Sequence, residues 1–431
     1  MAMHNFKRAA FCCLLVFCAA SIVRADSYYV KDLGTLGGNA SQAYALNNLG
    51  QVVGIANISN NVYFHAVLFS GTGSNNIDLD SQGPVSYVGQ ACGINDAGQI
   101  IGWSYTSSGR YEATLFTASG KVILGDLCSS SPTASHAQAI NAAGTVVGYA
   151  GDCFFTAQGC RFSGLGSNNV SLGGLGGGLS GVAYDINAAG QIVGYADRSD
   201  NGARRATLFN GVNNVDLGTL GGLNSLAYGI NNAGQIVGDS TLPGNSIFHA
   251  LLFSATGNNN IDLGSLGGIS AHAYAINNSG EIVGNSYPAT NNNSVYHAFI
   301  YKNGVMRDIN GLVLTNSGFN NIRLGDNPGR AINDSGQIAA VGESGGRTHA
   351  VLLTPVLRKV SVVLNGKDIV VKFDAIAGKT YRLLQTMDLA NPNWQSVPGV
   401  SDLTAASTGP AQFTYTNGAT LGKAYYRVQL L

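Results

Sequence analysis

The chain has 431 residues, with 23 basic and 23 acidic side chains and only 11% of its residues charged. That is under half the usual share of about 25%, and zero net charge leaves no basic surplus for a nucleic acid. A hydrophobic content of 45% excludes wholesale disorder, and the only long apolar run is N-terminal, which excludes a multi-span membrane protein.

In chain order, Lys7 and Arg8 precede an apolar stretch from Ala9 to Val23, and Val23-Arg24-Ala25 reads as a small-residue cleavage site. At about 15 residues the stretch is short for a bilayer-spanning helix, so residues 1–25 are expected to be a cleaved signal peptide. The mature chain then carries 20 basic against 23 acidic residues, a charge of −3, and no membrane span. Cys92, Cys128, Cys153 and Cys160 remain in it. An oxidising compartment favours disulfides, with Cys128, Cys153 and Cys160 as candidates, and the seven-residue spacing of Cys153 and Cys160 suits a short loop staple. A zinc site would want closer pairs, so no metal and no cofactor is expected.

From there the sequence repeats. The unit Ile-Asn-x-x-Gly-x-Ile-Val-Gly has its Asn at 47, 95, 141, 187, 231, 277 and 333, at intervals of 48, 46, 46, 44, 46 and 56. Each unit reads as four short strands. The first ends at the Asn, as in Ala271-His272-Ala273-Tyr274-Ala275-Ile276, and the second follows the Gly, as in Gln235-Ile236-Val237-Gly238. Asn-x-x-Gly between them is tight-turn chemistry, with Asn capping through its side chain and Gly supplying positive φ. The third strand carries His-Ala, as in His249-Ala250-Leu251-Leu252-Phe253, and the fourth carries Asp-Leu-Gly, as in Asn260-Ile261-Asp262-Leu263-Gly264. Four strands per roughly 45 residues match a propeller blade. One Asp-Leu-Gly strand, Tyr28 to Gly34, precedes the first unit, and no such strand clearly follows the last third strand, Thr348 to Leu353. This offset predicts an all-β, seven-bladed β-propeller over 26–355, with the N-terminal strand completing the last blade.

The motifs His65-Ala66-Val67-Leu68-Phe69, His297-Ala298-Phe299, Asp216-Leu217-Gly218-Thr219-Leu220-Gly221-Gly222 and Ala275 to Gly284 resemble those of the bacterial HAF extracellular repeat proteins. The likeness covers about three-quarters of the chain. It implies a secreted protein and supplies no catalytic residues. Units 2, 3 and 4 depart from the pattern, with Glu112-Ala113, Cys160-Arg161 and Arg205-Ala206 read at the His-Ala position.

After Pro355 the repeat stops. Residues 358–431 carry eight basic residues against four Asp, with alternating runs at Val360 to Leu364, Ile369 to Phe373 and Tyr381 to Leu384. Trp394 is the expected core aromatic, and Ala424-Tyr425-Tyr426-Arg427-Val428 reads as a closing strand. The segment 356–431 resembles a small fibronectin- or immunoglobulin-like β-sandwich.

The candidate chemistry is sparse. His65, His249, His297 and His349 share one repeat position, where a structural hydrogen bond is the expected role. His136 and His272 share another position in non-adjacent units, too far apart for one metal ion. Tyr44, Tyr184, Tyr228 and Tyr274 form a register on the first strand, expected to pack between blades. Turns such as Asn95-Asp96-Ala97-Gly98 have too few carboxylates for calcium. Gly clusters such as Gly176-Gly177-Gly178 precede no helix, as a phosphate loop would.

Function is therefore expected in the variable loops on one face of a rigid scaffold. The loop 197–205 holds Arg198, Asp200, Arg204 and Arg205, and the enlarged seventh unit holds Arg323 and Asp326. These six are the candidate ligand-binding residues. The expected activity is non-enzymatic binding or adhesion to an extracellular glycan or protein partner. The alternative is a propeller-based glycan hydrolase or lyase, which needs an acid–base pair in one cleft.

Overall fold

The computed structural model describes residues 27–431 apart from 60, 72, 82–87, 108, 129–132, 155, 164–167, 179, 201, 212, 290–294, 315–316, 326–328, 356–359, 376–379, 388–392, 407–408, 419–423 and 431. The expected signal segment 1–25 lies outside the described residues. Within them the chain is all-β apart from short 3₁₀ structure such as Ile309–Gly311, and no helix is long and apolar enough to cross a membrane. The described residues divide into two compact regions, Tyr28–Thr354 and 355–431.

In the first region each repeat unit folds into its own antiparallel sheet. Unit 1 runs Gly37–Leu46, Val52–Ile58, Phe64–Phe69 and Ile77–Asp78, each strand paired to the next. Units 2 to 6 repeat that order, and a single parallel bridge, Phe248 to Ser270, joins the sheets of units 5 and 6. Unit 7 is assembled from both ends of the region. Asn320–Arg323, Ile338–Ser344 and Arg347–Pro355 pair in order, and Tyr28–Asp32 pairs with Arg347–Pro355 as the fourth strand.

The turn between first and second strands explains the repeated Asn and Gly. In unit 1 the Gly50 N–H donates to the Asn47 carbonyl at 3.1 Å, and Gly50 has φ +78°, a conformation that glycine alone adopts without strain. The Asn47 side chain is 2% exposed and uses its full hydrogen-bonding capacity. Its Oδ1 accepts from Leu49 N and Gln51 N, while its Nδ2 donates to Gln51 Oε1 and to the Asn95 carbonyl. That last bond recurs from Asn95 to Asn141, 141 to 187, 187 to 231, 231 to 277, 277 to 333, and 333 back to Asn47, always at 3.0–3.2 Å. Seven hydrogen bonds thus form a circle.

The cores follow the same cycle. Val193, Ala206 and Leu217 of unit 4 pack on Ala227, Ile230, Leu251 and Phe253 of unit 5. Equivalent clusters join units 1 and 2, 2 and 3, 3 and 4, 5 and 6, and 6 and 7. A seventh joins Ala339, Ala350 and Leu352 of unit 7 to Ala43, Val52, Val67 and Phe69 of unit 1, with Leu33 between them. Burying one Leu or Phe in such a cluster contributes about 2–3 kcal/mol.

The second region holds two sheets around one core. Val360–Asn365, Asp368–Ala375 and Gly409–Tyr415 form one, and Thr380–Thr386 with Gln395–Ser396, Leu403–Thr404 and Tyr425–Leu430 forms the other. Phe373, Tyr381 and Phe413 meet at its centre, with Phe373 at ring-centroid distances of 5.0 Å from Tyr381 and 5.4 Å from Phe413. Trp394, expected as the core aromatic, is only half-buried. It falls just outside the strands that carry the core.

Candidate functional site

The repeated histidines have one structural job. Nδ1 of His65, His249, His297 and His349 lies 2.7–2.9 Å from a carboxylate oxygen of Asp78, Asp262, Asp308 and Asp32 respectively, tying third strand to fourth. The last pair links unit 7 to the N-terminal strand. In unit 4 Arg205 takes the position and pairs with Asp216 at 3.2 Å. In unit 3 the register corrects the sequence reading. Gly148 pairs with Cys160 as Gly54 pairs with Val67, so Gln158 stands at the His position, not Cys160. Gln158 Oε1 accepts from Ser171 on the fourth strand.

The loop candidates pair among themselves. Arg198 grips Asp200 with Nε at 2.9 Å and Nη2 at 2.6 Å and reaches Asp216 at 3.3 Å; Asp200 is the main reason its guanidinium is held above the ordinary range. Arg205 shares Asp216 and donates to the Leu223 carbonyl. Arg204 lies 3.8 Å from Asp197 and over the Tyr195 ring, 5.1 Å from its centroid. Arg323 ends the strand Asn320–Arg323 opposite Val341, and Asp326 lies outside the described residues. The structure therefore brings the unit 4 residues together.

The disulfide joins Cys128 to Cys153, linking the loop that enters unit 3 to the loop between its second and third strands. The staple suggested by the spacing of Cys153 and Cys160 does not form. Cys160 is a free, fully buried thiol on the strand Ala157–Phe162, where burial pushes it up to about 12. Its side chain belongs to the core between units 2 and 3.

The tyrosines expected to pack between blades lie at a recurrent irregularity of the first strands, and Tyr184, Tyr228 and Tyr274 do meet across consecutive units. In units 1 to 6 the ladder with the second strand skips one residue, and that residue is Tyr44, Cys92, Gln138, Tyr184, Tyr228 or Tyr274. A β-bulge re-aims its extra residue, so these six point out of the ladder in the same way. In unit 7 the described pairs on either side of this position are Arg323 with Val341 and Ile332 with Ile338. There Gly325 and Gly329 press on unit 1 and unit 2. A Cβ would come 2.6 Å from the Tyr44 ring at Gly325, and 2.9 and 3.0 Å from the Tyr44 and Cys92 carbonyls at Gly329. Arg330 follows and faces Asp185 of unit 4. Burial raises the Asp185 carboxyl against the opposing pull of Arg330.

The bulged tyrosines begin a continuous row of rings. Tyr195 to Tyr184 is 5.9 Å between centroids, Tyr184 to Tyr228 5.1 Å, and Tyr228 to Tyr274 5.2 Å. Tyr274 stacks on His272 at 6.1 Å, His272 meets Tyr296 at 5.9 Å, and Tyr296 stacks on Tyr287 at 3.9 Å. A second row holds Tyr105, Tyr111, Trp103, His136 and Tyr149 in units 2 and 3. Tyr149 of the second row and Tyr195 of the first hold the same register place in adjacent units, opposite Gly159 and Ala206. All these rings are half-buried except Tyr111, which is 41% exposed.

Within the first row, the fully buried carboxylate of Asp239 holds His272 Nδ1 at 2.5 Å through Oδ2. Burial raises the Asp239 carboxyl, and its bond to His272 opposes that rise. His272 Nε2 is left 3.4 Å from the Tyr296 hydroxyl. The arrangement can orient a hydroxylated ligand against a fixed imidazole. The signal in the sequence was the shared position of His136 and His272 and the Tyr register. The acid at 239 is specific to unit 5, because Ile55, Trp103, Tyr149, Tyr195, Asn285 and Val341 occupy that place elsewhere. Among the described residues no group of three His, Cys, Asp or Glu could hold a metal ion.

No family model matches the chain, and no curated protein matches it. Among solved structures it is similar to one described as putative TolB from Agrobacterium tumefaciens, at 13% identity and a TM-score of 0.33, covering 68% of this chain and 88% of that one.

Proposed function

We propose that Tyr28–Thr354 is a seven-bladed β-propeller closed by its N-terminal strand, of the HAF type that its repeats resemble. It works outside the cytoplasm as a non-enzymatic binding module for a glycan or protein partner. The observation that carries the scaffold is the circle of seven Asn hydrogen bonds, matched by seven cores that each join consecutive units. Such a ring fixes one end of every blade with near-identical turns. It leaves varied side chains and loops at the other, where binding can diversify without disturbing the frame. Residues 355–431 follow as a fibronectin- or immunoglobulin-like sandwich.

Asp239, His272 and Tyr296 favour the second reading, a glycan hydrolase or lyase, because they place an acid, a base and a hydroxyl side by side. One experiment separates the two. The mature protein is applied to an array of glycans and cell-envelope polymers, and every polymer held is assayed for new chain ends. Retention without cleavage is the expected result. New chain ends would establish the enzymatic reading, and no retention on any surface would remove the binding proposal.

A further inference from the structure

Resting on that reading, we infer that the two aromatic rows form one site for an extended, uncharged polysaccharide, with His272 as its fixed polar anchor. Three observations point to this ligand class.

The first is the ring geometry. The tyrosine row passes through units 4, 5 and 6 with centroid steps of 3.9–6.1 Å, and the second row continues through units 2 and 3. The face of an aromatic ring is electron-rich, and the C–H bonds on a sugar face carry partial positive charge, so the two stack. Five consecutive units outlast any single sugar.

The second is charge. Burial pushes the phenols of Tyr149, Tyr184, Tyr195, Tyr228 and Tyr296 upward, so each keeps its proton at neutral pH and offers a hydroxyl. Asp239 is held by His272, Arg204 is shared between Asp197 and the Tyr195 ring, and Arg198 and Arg205 converge on Asp216. An anionic polymer would find these cations already paired.

The third is preorganisation. Asp239 fixes the His272 ring through Nδ1 and leaves Nε2 beside the Tyr296 hydroxyl, ready to share a sugar hydroxyl. The His272 side chain is 17% exposed, with the rings of Phe248, Tyr274 and Tyr296 around it.

The test uses affinity electrophoresis of the mature chain in gels holding mixed-linkage β-glucan, galactomannan, xyloglucan or dextran, with alginate and polygalacturonate as charged controls. Tyr111→Ala and Tyr287→Ala probe the two rows at positions outside the core clusters. The sequence has two Trp, at 103 and 394, so Trp394→Phe leaves Trp103 as the sole indole reporter within the site. Retardation by at least one neutral polymer is expected, loosened roughly tenfold by each Tyr variant, with a change in Trp103 emission on binding. Retention only by the anionic polymers, retention by a protein partner alone, neutral binding untouched by both variants, or an unchanged Trp103 signal would each overturn the inference. The binding reading itself falls only if the array above finds nothing held.

Discussion

His136 carries a pH dependence that can be read from its surroundings. Its ring lies 4.7 Å from Tyr149, 5.3 Å from Trp103 and 6.2 Å from Tyr111, and burial lowers its pKa to about 4. The unfolded chain takes up this proton near pH 6.5, whereas the folded protein resists until about 4. Stability that is complete above pH 6.5 is therefore lost as pH falls toward 4, by at most about 3 kcal/mol from this one residue. Asp185 and Asp239 act in the opposite sense. Their carboxyls are raised by burial, so their contribution is present at low pH and declines as pH rises through the folded values. Comparing wild type with His136→Phe isolates the histidine. Urea midpoints at pH 7 and pH 4.5 should fall farther in wild type than in the variant. An equal fall in both would mean that burial of His136 has no such effect.

Among the elements, the bulge on the first strand dictates the final glycine of the motif. In unit 5 a Cβ at Gly238 would lie 1.8 Å from the Leu226 carbonyl, and the same clash recurs at Gly54, Gly102, Gly148, Gly194 and Gly284. Unit 7 has Ala340 instead, and there the described pairs of the second strand with the residues before it are Glu343 with Asn320, Val341 with Arg323 and Ile338 with Ile332, with none at Ala340. Gly238→Ala should destabilise by about 3 kcal/mol, measured by chemical denaturation, whereas Ala340→Gly should cost under about 1 kcal/mol. Matching losses at the two positions would refute the close-approach account. In the neighbouring turn, Asn231→Ala strands the backbone N–H groups of Ala233 and Gln235 and removes one of two donors to the Asn277 carbonyl, which keeps the Gly280 N–H, at about 2–4 kcal/mol. Asn231→Asp should lose at least as much, since it sets a carboxylate oxygen against that carbonyl. The turn itself was legible in the sequence because Asn-x-x-Gly is local chemistry. The bulge was not, because a skipped ladder position leaves no mark on composition. The tyrosines there read as residues that pack between blades, and their contacts across units agree. Cys128–Cys153 was half legible, since sequence spacing favoured Cys160 and only the fold places two distant loops side by side. Asp239 beside His272 joins two units 33 residues apart, a pairing that no local pattern announces.

For the whole molecule, the joint between Tyr28–Asp32 and Arg347–Pro355 is the decisive contact. It rests on backbone pairing, on Leu33 N donating to the Ala350 carbonyl at 3.0 Å, and on His349 with Asp32. Deleting residues 28–32 should expose the edge of Arg347–Pro355 and lower the melting temperature far more than Asp262→Ala, which breaks the equivalent pair inside a single unit. Size-exclusion chromatography with light scattering should find the truncated chain associating. A monomer as stable as the parent would show that the joint is dispensable.

That joint spans 317 positions of sequence between Asp32 and His349. The strand made first during vectorial synthesis is thus the last to find its partner, and it waits while the intervening chain appears. The entropy of bringing such distant ends together grows only with the logarithm of length, about 5 kcal/mol here, so the delay is kinetic more than energetic. During the wait the vacant slot accepts an identical strand from another copy as readily as its own. Refolding from denaturant should then yield monomers when dilute and interlocked pairs when concentrated.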